Sequence, residues 1–205
     1  MKIINSSHKI ENPPSYLALL MEIESAGRTC YKSEDKITQE SAEPFIRRII
    51  KSGHESVIEH EKLSIRFICD RGVSHELVRH RLCSFSQEST RYCNYSGEKF
   101  GKELTFIRPS FCKEDSSQYR DWLWAMSTSE LSYFDLISNG ASPQEARSVL
   151  PNSLKTELVM TANLREWRLI LKQRTPSAAH PDMRALMIPL LEELKERYQV
   201  FFEDI

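Results

Sequence analysis

The chain has 205 residues, of which 40% are hydrophobic and 28% charged, with a formal net charge of −1. That length buries one good core, or at most two small ones, and the composition is that of an ordinary globular protein. The near-neutral balance excludes a global field that would draw the chain to nucleic acid or anionic lipid, so any anion it binds must be caught by local arginines.

No apolar run approaches the roughly 20 residues that span a bilayer. The opening stretch, MKIINSSHKIENPPS, lacks the long apolar segment of a secretory signal. The five cysteines, Cys30, Cys69, Cys83, Cys93 and Cys112, are odd in number and form no CxxC pair. This argues against a disulfide framework and against a tetrahedral zinc site. The expectation is a cytoplasmic protein with no metal, no membrane contact and no nucleic-acid partner.

In chain order, Lys2 to Asn5 reads as an edge strand. Ser15 can cap a helix running to about Ala26, which Gly27 would end. Thr38 to Ser52 reads as a second helix, with Thr38 as its cap and Phe45, Ile46, Ile49 and Ile50 as its apolar stripe. Leu63 to Asp70 alternates apolar and polar side chains, as a half-buried strand does. Arg71-Gly72 reads as a turn, and Ser74 as the cap of a helix carrying Glu76 through His80. A long polar segment from Leu82 to about Phe100 suits a binding loop.

Leu104 to Ile107 reads as a strand, and Asp115 to Ser138 as a helix terminated by Asn139-Gly140. Ser142-Pro143 starts a short helix through Arg147, with Glu145 at the capping-box position. Thr156 to Thr161 reads as a strand. Asn163 to Arg174 and Pro181 to about Phe202 read as helices. Helices with few, widely separated strands favour an α+β fold.

Three clusters carry chemistry. The densest reads RHRLCSFSQESTR, from Arg79 to Arg91. Guanidinium forks grip phosphates and carboxylates at two points, and the hydroxyls with Gln87 add directional contacts, so the stretch fits a nucleotide. Arg79, His80 and Arg81 project about 100° apart on a helix, so they face one ligand only at a helix-to-loop corner; otherwise they serve several partners. Ser89 is read as a phosphate ligand in preference to a nucleophile, since no Gly-x-Ser-x-Gly elbow surrounds it. A solvated basic helix end is the plain alternative.

The second cluster is Gly53-His54-Glu55-Ser56 with Glu59-His60. Its spacing is not that of HExxH, and His54 is equally a ligand contact or a surface residue. In the third, Asn163, Trp167, Ile170, Leu171 and Arg174 share one helical face, while Arg165, Arg168 and Lys172 form a basic outer face. Either the helix aims Asn163 and Arg174 into a cleft, or it is plainly amphipathic. Arg147, before a Pro-ended turn, says little alone.

Taken together, Arg79-His80-Arg81 followed seven residues later by Ser89, GHESVIEH, RGVSHELVRHR, EARSVLPNSLKTE and the NLREW…R helix resemble the flavin-dependent thymidylate synthases. The resemblance runs from about residue 28 to 190. It implies a small antiparallel sheet flanked by long helices, in one compact domain over 1–205. It also implies reductive methylation of dUMP to dTMP, with methylenetetrahydrofolate supplying the carbon and NADPH the hydride through FAD, in a homotetramer whose sites are shared between subunits. The positions matching the family's dUMP contacts are Glu76, Arg79, Gln87, Ser89, Arg91, Arg147 and Arg174. Those matching its flavin contacts are Ser56, Glu59, Arg79, His80, Arg81, Asn163 and Arg165. His54 matches a histidine of folate handling, and Arg174 the guanidinium that activates the uracil ring without a cysteine on C6. Leu169 stands where family members commonly carry His or Asn.

Overall fold

The computed structural model describes all 205 residues, and the fold is α+β. The elements are β1 (Lys2–Ile4), β2 (Ser7–Glu11), α1 (Tyr16–Tyr31), α2 (Ala42–Lys51), β3 (Lys62–Asp70), α3 (Arg71–Leu77), β4 (Ser84–Gln87) and β5 (Thr105–Ile107), then α4 (Ser117–Ser138), α5 (Pro143–Ala146), β6 (Lys155–Asn163), α6 (Leu164–Arg174), α7 (Pro181–Arg197) and α8 (Gln199–Phe202). One sheet has the order β2-β3-β6-β4, and a two-stranded sheet pairs β1 with β5 in parallel.

The chain divides into two compact units interleaved in sequence. The first comprises Met1–His8, Phe67–Arg79 and Phe85–Val159; the second comprises Lys9–Arg66, His80–Ser84 and Met160–Ile205. Strands β3 and β6 carry the chain from one to the other. In both strands every second residue is buried: Leu63, Ile65, Phe67 and Cys69 on β3, and Thr156, Leu158, Met160 and Ala162 on β6. That is the period of two that a pleated strand with one core face requires. Their antiparallel register shows in the bonds from Leu164 N to the Glu61 carbonyl (3.0 Å) and from Arg71 N to the Asn152 carbonyl (2.8 Å).

The first unit packs α4 over the β1–β5 pair. Tyr95, Leu104, Phe106, Met126, Tyr133, Ala146 and Leu154 form its core. Ser116 caps α4, its hydroxyl accepting from Tyr119 N at 3.1 Å. Gly140, at φ +94°, turns the chain after α4 in the left-handed region that glycine adopts freely. The second unit is helical, with Trp167 of α6 fully buried and its indole N–H donating to the Leu63 carbonyl at 3.0 Å. Burying a large apolar side chain of this kind contributes about 1.5–3 kcal/mol.

Four sequence expectations shift, each for a physical reason. Helix α1 runs through Gly27 to Tyr31. Gly27 is not a terminator: a Cβ there would lie 2.5 Å from Phe45 Cε1, so glycine is what lets α2 approach. Helix α2 starts at Ala42, because the Ser41 hydroxyl and the Thr38 amide bond each other at 2.8 Å and hold a turn before it. Helix α3 begins at Arg71, not after Ser74, because the Asp70 carboxylate accepts from Val73 N at 2.8 Å and caps it. The last helix breaks at Tyr198, whose backbone leaves the helical region (φ −135°, ψ 47°) and whose hydroxyl donates to the Pro14 carbonyl at 3.1 Å.

Candidate active site

In the first unit the polar loop after α3 is tied to β6 by neutral and paired groups. Gln87 donates through Nε2 to Ser74 Oγ (2.9 Å) and Thr156 Oγ1 (3.2 Å), and both hydroxyl residues are fully buried. Glu88 accepts from Tyr95 Oη (3.0 Å) and from Lys155 Nζ (2.9 Å), while Lys155 also donates to Glu157 (2.7 Å). Burial pulls the Lys155 ammonium down, but its bonds to Glu157 and Glu88 prevail and hold it above the ordinary lysine value. Burial and the adjacent Glu88 carboxylate push the Tyr95 phenol well up.

On this scaffold Ser89 opens a tight turn, its carbonyl accepting from Cys93 N at 3.0 Å and its hydroxyl from Arg91 N at 3.3 Å. Arg147 closes α5, which carries the expected Ser142–Glu145 capping box, and donates to Thr90 Oγ1 at 3.4 Å. Arg79, Arg91 and Arg147 are exposed and make no ion pair. The first unit therefore presents three guanidinium groups with unspent charge, two of which, Arg91 and Arg147, stand at the Ser89 turn. That is the donor set a phosphate ester needs. Glu76 lies one turn before Arg79, its carbonyl accepting from Arg79 N at 3.2 Å.

The second unit holds a cleft of about 560 Å³ lined by Glu55, Glu59, Asn163, Arg165 and Leu169 among others, a size typical of small-molecule sites. Here charges are paired. Arg165 meets Glu59 at 2.6 Å and Glu55 at 3.9 Å. Arg168, 1% exposed, is gripped by Glu55 (3.1 Å), by Asp204 (2.7 Å) and by the Phe201 carbonyl. The Arg168 guanidinium holds the Asp204 carboxyl below its usual range. Asn163 spends its Oδ1 on capping α6, accepting from Glu166 N at 2.8 Å.

Below this cleft runs a line of three groups. Arg174 Nε donates to His80 Nε2 at 3.0 Å, and His80 Nδ1 lies 3.8 Å from Glu166 Oε1. His80 and Glu166 are both buried. Burial first, then the Arg174 cation, lowers the His80 pKa, and burial raises that of Glu166. With Nε2 accepting from Arg174, the imidazole is neutral and carries its hydrogen on Nδ1, toward Glu166. Burial and the nearby Glu166 also push the Cys83 thiol up to about 12.

His54 sits apart from that cleft, in a second one of about 410 Å³ in the same unit, where its Nδ1 meets Tyr31 Oη at 2.7 Å. The His54–Glu59 cluster of the sequence thus divides between two clefts.

Comparison with known proteins decides the family. The family model described as "Thymidylate synthase complementing protein" matches residues 19–198. The flavin-dependent thymidylate synthase of Pyrococcus furiosus is 33% identical over 172 residues, which are 83% of this chain and 70% of the relative. That of Corynebacterium aurimucosum is 34% identical over 201 residues, covering 89% of this chain and 78% of the relative. This chain belongs to the flavin-dependent thymidylate synthase family.

The fold agrees. A solved UMP/dUMP methylase from Streptomyces cacaoi superposes with a TM-score of 0.78, covering 99% of this chain and 96% of its own, at 22% identity. Within this family member the 560 Å³ cleft gathers Glu59, Asn163 and Arg165, with His80 reached through Glu166; Ser56 and Arg81 are exposed and do not line it. Leu82 and Leu169 give that cleft apolar pads, and Lys172 gives it a cation outside the Arg165 and Arg168 ion pairs. A flat ring fits the leucine pads, while the Glu55, Glu59 and Glu166 carboxylates of the same lining offer nothing to a diphosphate. No helix is long and apolar enough to cross a membrane.

Sequence reasoning missed Glu166, Glu88, Lys155 and Arg168. Arg168 is the plainest correction: it belongs to no solvated basic face, and Leu169 is the exposed residue, at 45%. The signal was the acids, Glu55 and Asp204, far apart in sequence and met only in the fold. Glu88 sits inside the Arg79–Arg91 motif and was passed over for want of its Lys155 partner.

Proposed function

We propose that residues 1–205 act as one FAD-dependent thymidylate synthase domain, which methylates dUMP reductively using methylenetetrahydrofolate and NADPH, in the cytoplasm, as a homotetramer with shared sites. The observation that carries this reading is the two guanidinium groups without acid partners at the Ser89 turn, Arg91 and Arg147, in a member of this family. A methylene group sits at the oxidation level of formaldehyde. Making it a methyl requires one hydride, and if NADPH supplies that hydride the carbon carrier leaves as tetrahydrofolate and NADP⁺ is formed.

Arg91 and Arg147 neutralise the nucleotide phosphate, with the Ser89 hydroxyl as a neutral donor. Gln87, fixed through Nε2, presents Oε1 to a donor such as the uracil N3–H. Arg174 stabilises the negative charge that develops on the ring as C5 becomes a nucleophile. His80 sets the plane of that guanidinium through its Nε2 bond. Flavin, held by Glu59, Asn163, Arg165 and the leucine pads, supplies the hydride carrier; protein groups supply binding, orientation and field. Burial and the nearby Glu166 push the Cys83 thiol up to about 12, which disfavours its thiolate at neutral pH. This agrees with chemistry that adds no cysteine to C6.

The test is an FAD titration of purified protein followed by visible absorption, and then a dTMP assay. The expected result is a bound flavin band and dTMP only when NADPH and methylenetetrahydrofolate are both present. Protein that stays colourless with excess FAD overturns the reading.

A further inference from the structure

We infer that Ser74 and Thr156 are positioning residues that hold the Gln87 carboxamide in one orientation, so that the site takes a pyrimidine nucleotide with a hydrogen on ring N3 and rejects one without it. The inference rests on the proposed methylation of dUMP for the identity of the ligand. It deepens that reading by assigning the choice between uracil and cytosine to two side chains too deeply buried to touch either.

The orientation follows from counting hydrogens. Ser74, on α3, is fully buried and has one hydroxyl hydrogen, which it donates to the Arg71 carbonyl at 2.9 Å. Toward Gln87 it can then only accept. The carboxamide atom 2.9 Å from Ser74 Oγ is therefore the nitrogen. The second hydrogen of that nitrogen goes to Thr156 Oγ1 on β6, at 3.2 Å, and Thr156 too is fully buried. Both amide hydrogens are spent, and Gln87 has only its oxygen left to offer. That oxygen accepts no bond within the chain, and the half-buried side chain leaves it open to solvent. Turning the amide over would set Oε1 against the Ser74 lone pairs. Ser74 could meet it only by giving up the Arg71 carbonyl.

A plain tie between elements does not need this arrangement. The Glu88 amide already fastens the segment to β6, donating to the Glu157 carbonyl at 2.9 Å. An apolar side chain in place of Gln87 could fill the space without calling for two hydroxyls in the core, where an unbonded hydroxyl is costly. What the hydroxyls add is an acceptor of fixed sense at the end of β4, two residues before the Ser89 turn. Uracil N3 carries a hydrogen and donates to such an acceptor. Cytosine N3 carries a lone pair and meets it acceptor to acceptor. A polar group built for one partner rejects the analogue that leaves it unpaired.

The test is calorimetric titration of the FAD-loaded protein with dUMP and with dCMP, in the parent and in Ser74→Ala, Thr156→Val and Thr156→Ser. The parent should bind dUMP more tightly. Ser74→Ala frees the amide to turn, and the ratio of the two affinities should fall about tenfold, equivalent to about 1.4 kcal/mol. Thr156→Val should move the ratio the same way by less. Thr156→Ser, which keeps the acceptor, should hold the parent ratio. A merely structural role would weaken both nucleotides together and leave the ratio where it was. An unchanged ratio in Ser74→Ala overturns the inference. Should that variant not fold, equal ratios in Thr156→Val and Thr156→Ser overturn it, as does a parent that binds the two nucleotides equally. A parent that binds neither overturns the dUMP reading itself, and the inference with it.

Discussion

The polar loop of the first unit and the 560 Å³ cleft of the second use arginine in opposite ways. In the first, Gln87, Glu88, Lys155 and buried hydroxyls anchor the binding loop, and Arg79, Arg91 and Arg147 are left exposed without acid partners. In the second, Arg165 and Arg168 are spent on Glu59, Glu55 and Asp204. An arginine held by a carboxylate is already neutralised and serves as structure; one held only by neutral groups keeps its charge for an incoming anion. The difference leaves guanidinium charge free on the first unit, and makes the ion pairs of the second a frame for its cleft.

The largest effect that would sharpen this contrast comes from Arg168→Met. Removing a fully buried guanidinium leaves Glu55 with Arg165 at 3.9 Å and Asp204, half exposed, with solvent, so the cost is bounded above by the about 3–5 kcal/mol of a fully buried pair broken on one side. A urea titration should show that loss, together with reduced flavin retention. Arg147→Met, on the first unit, should leave the urea midpoint nearly unchanged while raising the KM for dUMP. If Arg147→Met destabilised the protein as much as Arg168→Met, the division between spent and unspent arginines would collapse.

Next comes Arg174→Ala. Removing one charge-stabilising donor costs about 10²–10³ in kcat, and flavin content should persist, because Arg174 does not line the 560 Å³ cleft. Turnover equal to that of the parent would remove Arg174 from ring activation. A smaller effect is expected of Lys155→Met. It leaves Glu88 with only Tyr95, so the Ser89 turn loosens. The KM for dUMP should rise about tenfold, a loss of about 1.4 kcal/mol, with FAD affinity intact. A fall in FAD affinity instead would tie that network to the second unit's chemistry.

What could be read from the sequence divides along the same line. Period-two burial on β3, the Ser15 cap and the α5 capping box follow from local rules, and the structure has them. Family motifs placed the Arg79–Arg91 loop. The failures all needed a tertiary partner. Gly27 looks like a helix end until Phe45 is seen against it. Arg168 looks like surface until Asp204 arrives from the far end of the chain. Ser74 reads as a helix cap, and instead sits buried inside α3 as the acceptor for Gln87.

The smallest expected effect is a pH dependence from the Glu166–His80–Arg174 line. His80 is held below the ordinary histidine value of 6.5 by burial and by Arg174. Between its folded value and 6.5, the unfolded chain binds more protons than the native one, so stability rises with pH across that window. His80 thus contributes stability that is complete above 6.5 and is lost as pH falls toward its folded value. Glu166, raised above 4.5 by burial, has the opposite sign: its contribution is complete below 4.5 and is lost as pH rises through its folded value. Urea midpoints measured across this range should therefore fall on acidification in the parent and fall less in His80→Gln, whose amide oxygen can still accept from Arg174. Activity should show the same direction, since an imidazolium has no lone pair for the Arg174 N–H and releases the guanidinium from its plane. Identical acid limbs in the parent and His80→Gln, for stability and for kcat alike, would show that His80 neither titrates in this window nor orients Arg174.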